Sequence, residues 1–249
     1  MTIKAFIPNF VTLLNLFCGS VAVIFAVNNH FVFAAFFVFL GIFFDFFDGL
    51  LARKLKVQSE LGLQLDSLAD MVTSGLVPGI IMFKLLELAS HNKAFTSIND
   101  WTASMQWSGF KLNLLPFIGL FITLASAYRL ARFNLDEDQQ SYFKGLPTPA
   151  NALLILSLPL ILEFQNNDLI NATILNKWFL IGLTIASCYL LNSPIKLFAL
   201  KFKDWTFKTN AVRYIFIILS IVLLIVLHFA AIPIIIALYI LLSLFNNIN

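Results

Sequence analysis

The sequence predicts an all-α, polytopic transmembrane helix bundle of about eight spans, or six to eight if a segment lies in the interface. Three observations predict it. Of the 249 residues, 60% are hydrophobic and 12% charged, against roughly 25% charged in a soluble domain. The mean hydropathy is +0.90. Apolar runs of spanning length recur along the whole chain. The formal charge of +3 is small, and no long basic run suggests a nucleic-acid partner. Cys18 and Cys188 lie in apolar segments without metal-ligand spacing, so no disulfide framework is implied.

The runs fall at about 9–27, 32–54, 62–88, 112–131, 150–164, 177–193, 213–229 and 232–246. The first follows Lys4 as a secretory leader would, but Pro8, Asn9, Thr12 and Asn15 interrupt it. No small-x-small cleavage pattern follows, so it reads as a retained span. The second and third are joined by KVQSE and carry most of the acidic residues found at membrane depth. The fourth ends in YRLARFN, and the fifth, a short one, follows FKGLPTPAN. The seventh and eighth meet at a break before Pro233. No linker divides the chain, so a single domain over 1–249 is expected.

Charge sets the orientation. With the N-terminus in the cytoplasm, all of the 16 Lys and Arg residues except Lys84, Lys93, Lys111 and Lys177 fall on the cytoplasmic side, as the positive-inside rule requires. The stretch Lys196 to Arg213 mixes cations with Phe198, Phe202, Trp205 and Phe207. It reads either as an interfacial helix on anionic lipid or as a cytoplasmic loop.

Asp45, Asp48, Asp66 and Asp70 mark the chemistry. They sit in FFDFFDGLLARKLKVQSELGLQLDSLAD. An ionised carboxylate at membrane depth costs at least ~2.5 kcal/mol on the mildest insertion scale. Four together need positive charge nearby, and one or two divalent metals would supply it. Spacings of i,i+3 and i,i+4 place each pair on one helix face. Folding the spans back through Val57 to Ser59 would set Asp48 opposite Asp66 and Asp45 opposite Asp70. Such a box of hard oxygens suits Mg²⁺ or Mn²⁺. Gly49 and Gly62 would admit a ligand close to backbone, and the Arg53 guanidinium suits a phosphate. Interhelical salt bridges to Arg53 and Lys54 are the alternative, but two cations leave four acids underpaired.

The pattern Asp45-x2-Asp48-Gly49-x2-Ala52-Arg53-x8-Gly62-x3-Asp66-x3-Asp70 resembles the signature of the CDP-alcohol phosphatidyltransferase family at every defined position. The resemblance implies an integral membrane enzyme, usually a homodimer, in which an alcohol displaces CMP from a CDP-linked lipid. It implies a two-metal site on Asp45, Asp48, Asp66 and Asp70, with Asp70 also the base for the acceptor hydroxyl. It implies a CDP site lined by Asp48, Gly49, Ala52, Arg53, Gly62 and Asp66, with Thr12 and Asn15 of the first span as a further wall. On the residues alone, Thr12, Asn15 and Gly19 also fit a small-residue packing stripe.

Arg129 and Arg132, i,i+3 neighbours, could clamp one anion from a shared helix face, or serve as a positive-inside stop signal. The strings RLARFN and F-x-GLP-x-PA, with the N-terminal IPNFVTLLNLFCG, resemble the phosphatidylserine synthase subgroup of the family over most of residues 7–151. Asn151 stands where that pattern has Ala. The resemblance implies CDP-diacylglycerol as donor and L-serine as acceptor, the serine carboxylate held by Arg129, Arg132 or Lys144. It implies a catalytic core at about 7–151, additional spans at about 152–249, and a cytoplasm-facing site in the cell (inner) membrane. Two other readings remain open here. One is a family member using glycerol 3-phosphate or inositol phosphate. The other is a divalent-cation transporter built on the carboxylates, which Arg53 would oppose by repelling the cation.

Overall fold

A computed structural model of the chain describes residues 3–90, 113–135, 142–165, 167–198 and 207–246. The apolar runs form helices, and the polar breaks between them carry the turns. Helix α1 (Ile3–Val27) reverses at Asn29, whose φ of 62° a short polar side chain tolerates, into α2 (Phe31–Leu55). Lys56 closes α2 in the left-handed conformation. Ser59 then caps α3 (Glu60–Asp70), its Oγ accepting from the Gly62 N–H at 3.1 Å. Beyond Asp70 the helix widens into a π turn, Met71–Leu76, and resumes as α4 (Val77–Ser90).

A 3-10 turn at Leu115–Leu120 leads into α5 (Phe121–Leu135). Strand β1 (Tyr142–Lys144) pairs antiparallel with β2 (Lys196–Phe198), setting Lys144 opposite Lys196. Between them run α6 (Thr148–Phe164), α7 (Asp168–Ile174) and α8 (Lys177–Asn192). Helices α9 (Phe207–Leu227) and α10 (Ala231–Asn246) follow. The expected all-α architecture therefore carries one two-stranded ribbon that hydropathy does not signal. Gly145, at φ 75°, fixes the chain leaving β1. Its N–H donates to Ile195 O at 2.9 Å.

The core lies along α4 and α6, where Ile81, Met82, Leu85, Leu86, Ile155 and Leu156 are fully enclosed and meet Ala34, Ala35 and Val38 of α2. The other face of α2 presents Phe36, Phe39, Phe43 and Phe46 outward, as lipid contact demands. Helix pairs approach closely at small residues. A Cβ on Gly119 would stand 2.5 Å from the backbone N of Phe83, so the 3-10 turn rests directly on α4.

Among the described residues, four helical stretches are long and apolar enough to cross a membrane: Phe6–Val27, Phe31–Leu55, Glu60–Ser90 and Asn210–Phe245. Helices α7 and α8, meeting at 60°, make up to five. Asn210–Phe245 doubles back on itself. The rings of Phe216 and Tyr239 are 5.5 Å apart, whereas a continuous helix would separate them by about 35 Å at ~1.5 Å per residue. The reversal falls at His228, with φ 47°.

Two expectations meet the structure differently. Helices α2 and α3 do not lie together as a close antiparallel pair; their backbones barely approach, and α1 packs against both. The residues either side of Val57 to Ser59 therefore diverge into a wedge with α1 as its back wall. Of the Lys196 to Arg213 stretch, β2 and the start of α9, with non-helical dihedrals at Asn210, are described. Residues 199–206, and the polar connection 91–111, lie outside the described residues.

Candidate active site

The wedge gathers the carboxylates. Asp45 and Asp48 from α2 and Asp66 from α3 each offer one oxygen, all within 4.8 Å of one another. The Thr12 hydroxyl on α1 has Asp48 Oδ2 and, at 3.1 Å, Pro8 O in reach. It has a single proton, and the charged acceptor makes the stronger bond. No lysine or arginine pairs with these acids among the described residues; the one side-chain ion pair found there is Lys84 with Glu87. Three carboxylate oxygens converging with no Lys or Arg partner among the described residues fit a small hard cation, and the donor chemistry is that of an oxygen-preferring divalent metal rather than a soft one.

Asp70 stands outside this triad. One turn deeper on α3, it accepts from Asn15 Nδ2 at 3.3 Å and lies within electrostatic range of Arg129. The Asn15 side chain is fully buried. Its Oδ1 accepts from the Thr73 hydroxyl at 2.8 Å.

Beside the triad, toward the 57–59 turn, lies a cavity of about 440 Å³. Thr12, Asp48, Gly49, Ala52, Gly62 and Asp66, all expected on the sequence, line it. Asn15 and Arg53 do not. Asn15 turns inward to Asp70 and Thr73, and Arg53 is exposed, its guanidinium 3.9 Å from where a Gly49 Cβ would be. Asn9 does line the cavity, and sequence reasoning did not single it out as a site residue. Asn9 is 7% exposed, yet its Nδ2 has no partner. The available signal was its place one turn ahead of Thr12 on the same face.

The three expected acceptor-side cations come together. Arg129 and Arg132 of α5, Lys144 of β1, and Asn192 and Ser193 at the end of α8 surround a second, tight pocket of about 10 Å³, room for about one water. The β ribbon makes this possible by carrying Lys144 back against the end of α8, where Leu146 N donates to Leu190 O at 2.8 Å. Asn192 Nδ2 donates to Ala125 O at 3.1 Å and reaches Cys188 O at 3.4 Å. Its Oδ1, buried and unpartnered, is thus the amide group left for the pocket. Asn134 Nδ2 donates to Ser67 Oγ at 2.8 Å, clipping the end of α5 to the acid-bearing helix.

The carboxylate triad and the polar groove share Asp48 and Asp66, and the helix that carries Arg129 and Arg132 of the cation-lined pocket is clipped to the acid-bearing helix through Asn134 and Ser67. Among known proteins, a CDP-diacylglycerol–serine O-phosphatidyltransferase of Bacillus subtilis (strain 168) is 31% identical over 195 residues, covering 77% of this chain and 89% of its own length. One so named from Methanocaldococcus jannaschii is 30% identical over 181 residues, covering 73% and 71%. A third, from Saccharomyces cerevisiae, is 31% identical over 166 residues, covering 60% and 52%. The model of the CDP-alcohol phosphatidyltransferase family matches residues 5–245, taking in the wedge, the cationic pocket and the C-terminal hairpin alike, and the chain belongs to that family.

Proposed function

We propose that the chain is a phosphatidylserine synthase: it transfers the phosphatidyl group of CDP-diacylglycerol to the hydroxyl of L-serine and releases CMP. The observation that carries this reading is Arg129, which walls the cationic pocket and at the same time lies within electrostatic range of Asp70. On this reading the acceptor's carboxylate sits on Arg129, Arg132 and Lys144, and its hydroxyl is directed toward Asp70. Asn192 Oδ1 suits the α-ammonium, a donor that glycerol 3-phosphate and inositol phosphate lack. The tightness of the pocket favours a small acceptor, entering as the long Arg and Lys side chains part around it.

The 440 Å³ groove is assigned to the CDP moiety, with Gly49, Ala52 and Gly62 letting it approach backbone, and Asn9 and Thr12 offering polar contacts. Asp45, Asp48 and Asp66 would hold the divalent ions, with Asp70 at the edge of the set. Such ions neutralise charge on the transferring phosphoryl group and on the departing CMP. Asp70, acting as general base, takes the serine hydroxyl proton as the oxygen bonds to the lipid-side phosphorus and the bond from that phosphorus to CMP breaks. No cysteine or histidine adjoins the triad among the described residues, which favours direct displacement.

The same reading extends to the whole chain. It has eight spans, counting α9 and α10 separately and α5 and α6 as short crossings. Its triad end faces the cytoplasm of the cell (inner) membrane, where Arg53, Lys54, Lys56, Arg129, Arg132 and Lys144 cluster, and two copies associate as the family resemblance implies.

The test is CMP release from CDP-diacylglycerol by purified protein in detergent with Mg²⁺ or Mn²⁺, comparing L-serine with glycerol 3-phosphate and inositol phosphate. Serine- and metal-dependent release is expected. Release with a phosphorylated acceptor instead would overturn the acceptor assignment while sparing the triad.

A further inference from the structure

The π turn that follows Asp70 places a hydroxyl where the established signature has no residue. Thr73 is fully buried. Its Oγ1 is 2.8 Å from Asn15 Oδ1 and 3.2 Å from Asn15 O. Asn15 in turn donates from Nδ2 to Asp70 Oδ1 at 3.3 Å. The direction of this chain is set by chemistry. A carboxylate oxygen only accepts, so the amide must present its NH₂ to Asp70 and its carbonyl to the far side. There the carbonyl needs a donor, and the Thr73 hydroxyl is that donor. Without it, a fully buried carbonyl would lose its partner, and the amide would lose the contact that holds its orientation toward Asp70.

Helix packing is cut to fit this contact. A Cβ on Gly41 would stand 2.7 Å from Thr73 Cγ2 and 2.8 Å from Asn15 Oδ1. A Cβ on Gly19 would collide with the Thr73 hydroxyl itself. Glycines of α1 and α2 thus leave a slot into which the π turn inserts one side chain, three residues beyond the base. Single π turns inside helices often occur at functional sites. This one brings α1, α2 and the base-bearing helix to a common point.

We propose that Thr73 is a positioning residue for the transfer reaction: through Asn15 it fixes the orientation of the Asp70 carboxylate that receives the acceptor proton. The inference rests on the reading of Asp70 as general base, and it does not depend on which alcohol is the acceptor.

The test compares Thr73→Val, which keeps the shape and removes the hydroxyl, with Thr73→Ser, which keeps the hydroxyl, in the full-length protein. Thr73→Val is expected to lower kcat by about 10- to 100-fold, the scale of a misplaced catalytic group, with KM for the CDP-lipid unchanged. Thr73→Ser is expected to restore most of it. In an Asn15→Leu background, Thr73→Val should cause no further loss. A purely structural role would give the opposite pattern: Thr73→Val tolerated, or Thr73→Ser as damaging as Thr73→Val, with a loss of thermal stability in either case. Should the wild type prefer another alcohol, the comparison is made with that alcohol. A structure of the Thr73→Val protein provides a readout independent of turnover. Asn15 rotated off Asp70 is expected, and Asn15 unmoved would overturn the proposal whatever the activity.

Discussion

In the proposed reaction Asp70 and Arg129 would carry opposite halves of one task, and their variants should fail in different ways. Asp70→Asn keeps the size of the side chain and the Asn15 contact but cannot accept a proton. Loss of a general base costs about 10²- to 10⁴-fold, and we expect that loss in kcat, with binding of CDP-diacylglycerol retained. Arg129→Ala removes a charge-assisted contact worth ~1.5–3 kcal/mol, so KM for serine should rise by roughly 10- to 100-fold. Steady-state kinetics in both substrates separates the two. The convergence of Asp45, Asp48 and Asp66 was legible in the sequence because charge at membrane depth has so few explanations. Arg53, expected to face a phosphate, is exposed at the end of α2, its guanidinium 3.9 Å from where a Cβ on the groove-lining Gly49 would stand. Asn9 was not legible. An amide beside a proline reads as a helix interruption until its unpartnered nitrogen is seen at the cavity wall.

Elements obeyed the hydropathy pattern, and their mutual packing did not. The described helices fall close to the apolar runs, since a span of about twenty apolar residues has no other stable form in lipid. Which helix lies beside which is set by where backbones can approach, and a single sequence does not display that. Helices α2 and α3 diverge instead of pairing closely because each packs against α1. The glycines give a direct test. Gly119→Ala would drive a Cβ to 2.5 Å from Phe83 N and 2.8 Å from Met82 C. These are backbone atoms that cannot turn aside, so a loss of ~1–3 kcal/mol is expected from overpacking. Gly182→Ala in α8 meets nothing within 4 Å and should be neutral or stabilising by up to ~1 kcal/mol. Thermal unfolding in one detergent measures both. A lower Tm for Gly182→Ala than for Gly119→Ala would contradict the packing.

Across the whole molecule, the orientation proposed from the positive residues can be read by labelling. Gln58, at the turn beside the groove, and Asn28, at the turn joining α1 to α2, are both exposed and sit at opposite ends of α2. In a background with Cys18 and Cys188 replaced, Gln58→Cys should react with a membrane-impermeant maleimide only from the cytoplasmic face. Asn28→Cys should react only from the other face. The reverse pattern would invert the orientation. The wedge itself has one more consequence. Its aspartates open beside Phe46, Phe47, Leu50 and Leu63, all exposed apolar side chains. A diacyl substrate can therefore slide in from the leaflet while keeping its tails among neighbouring lipids. The enzyme then meets one reactant in two dimensions and the other in three. Its rate should track the mole fraction of CDP-lipid in the surface, and diluting vesicles of fixed composition should leave the turnover of embedded enzyme unchanged.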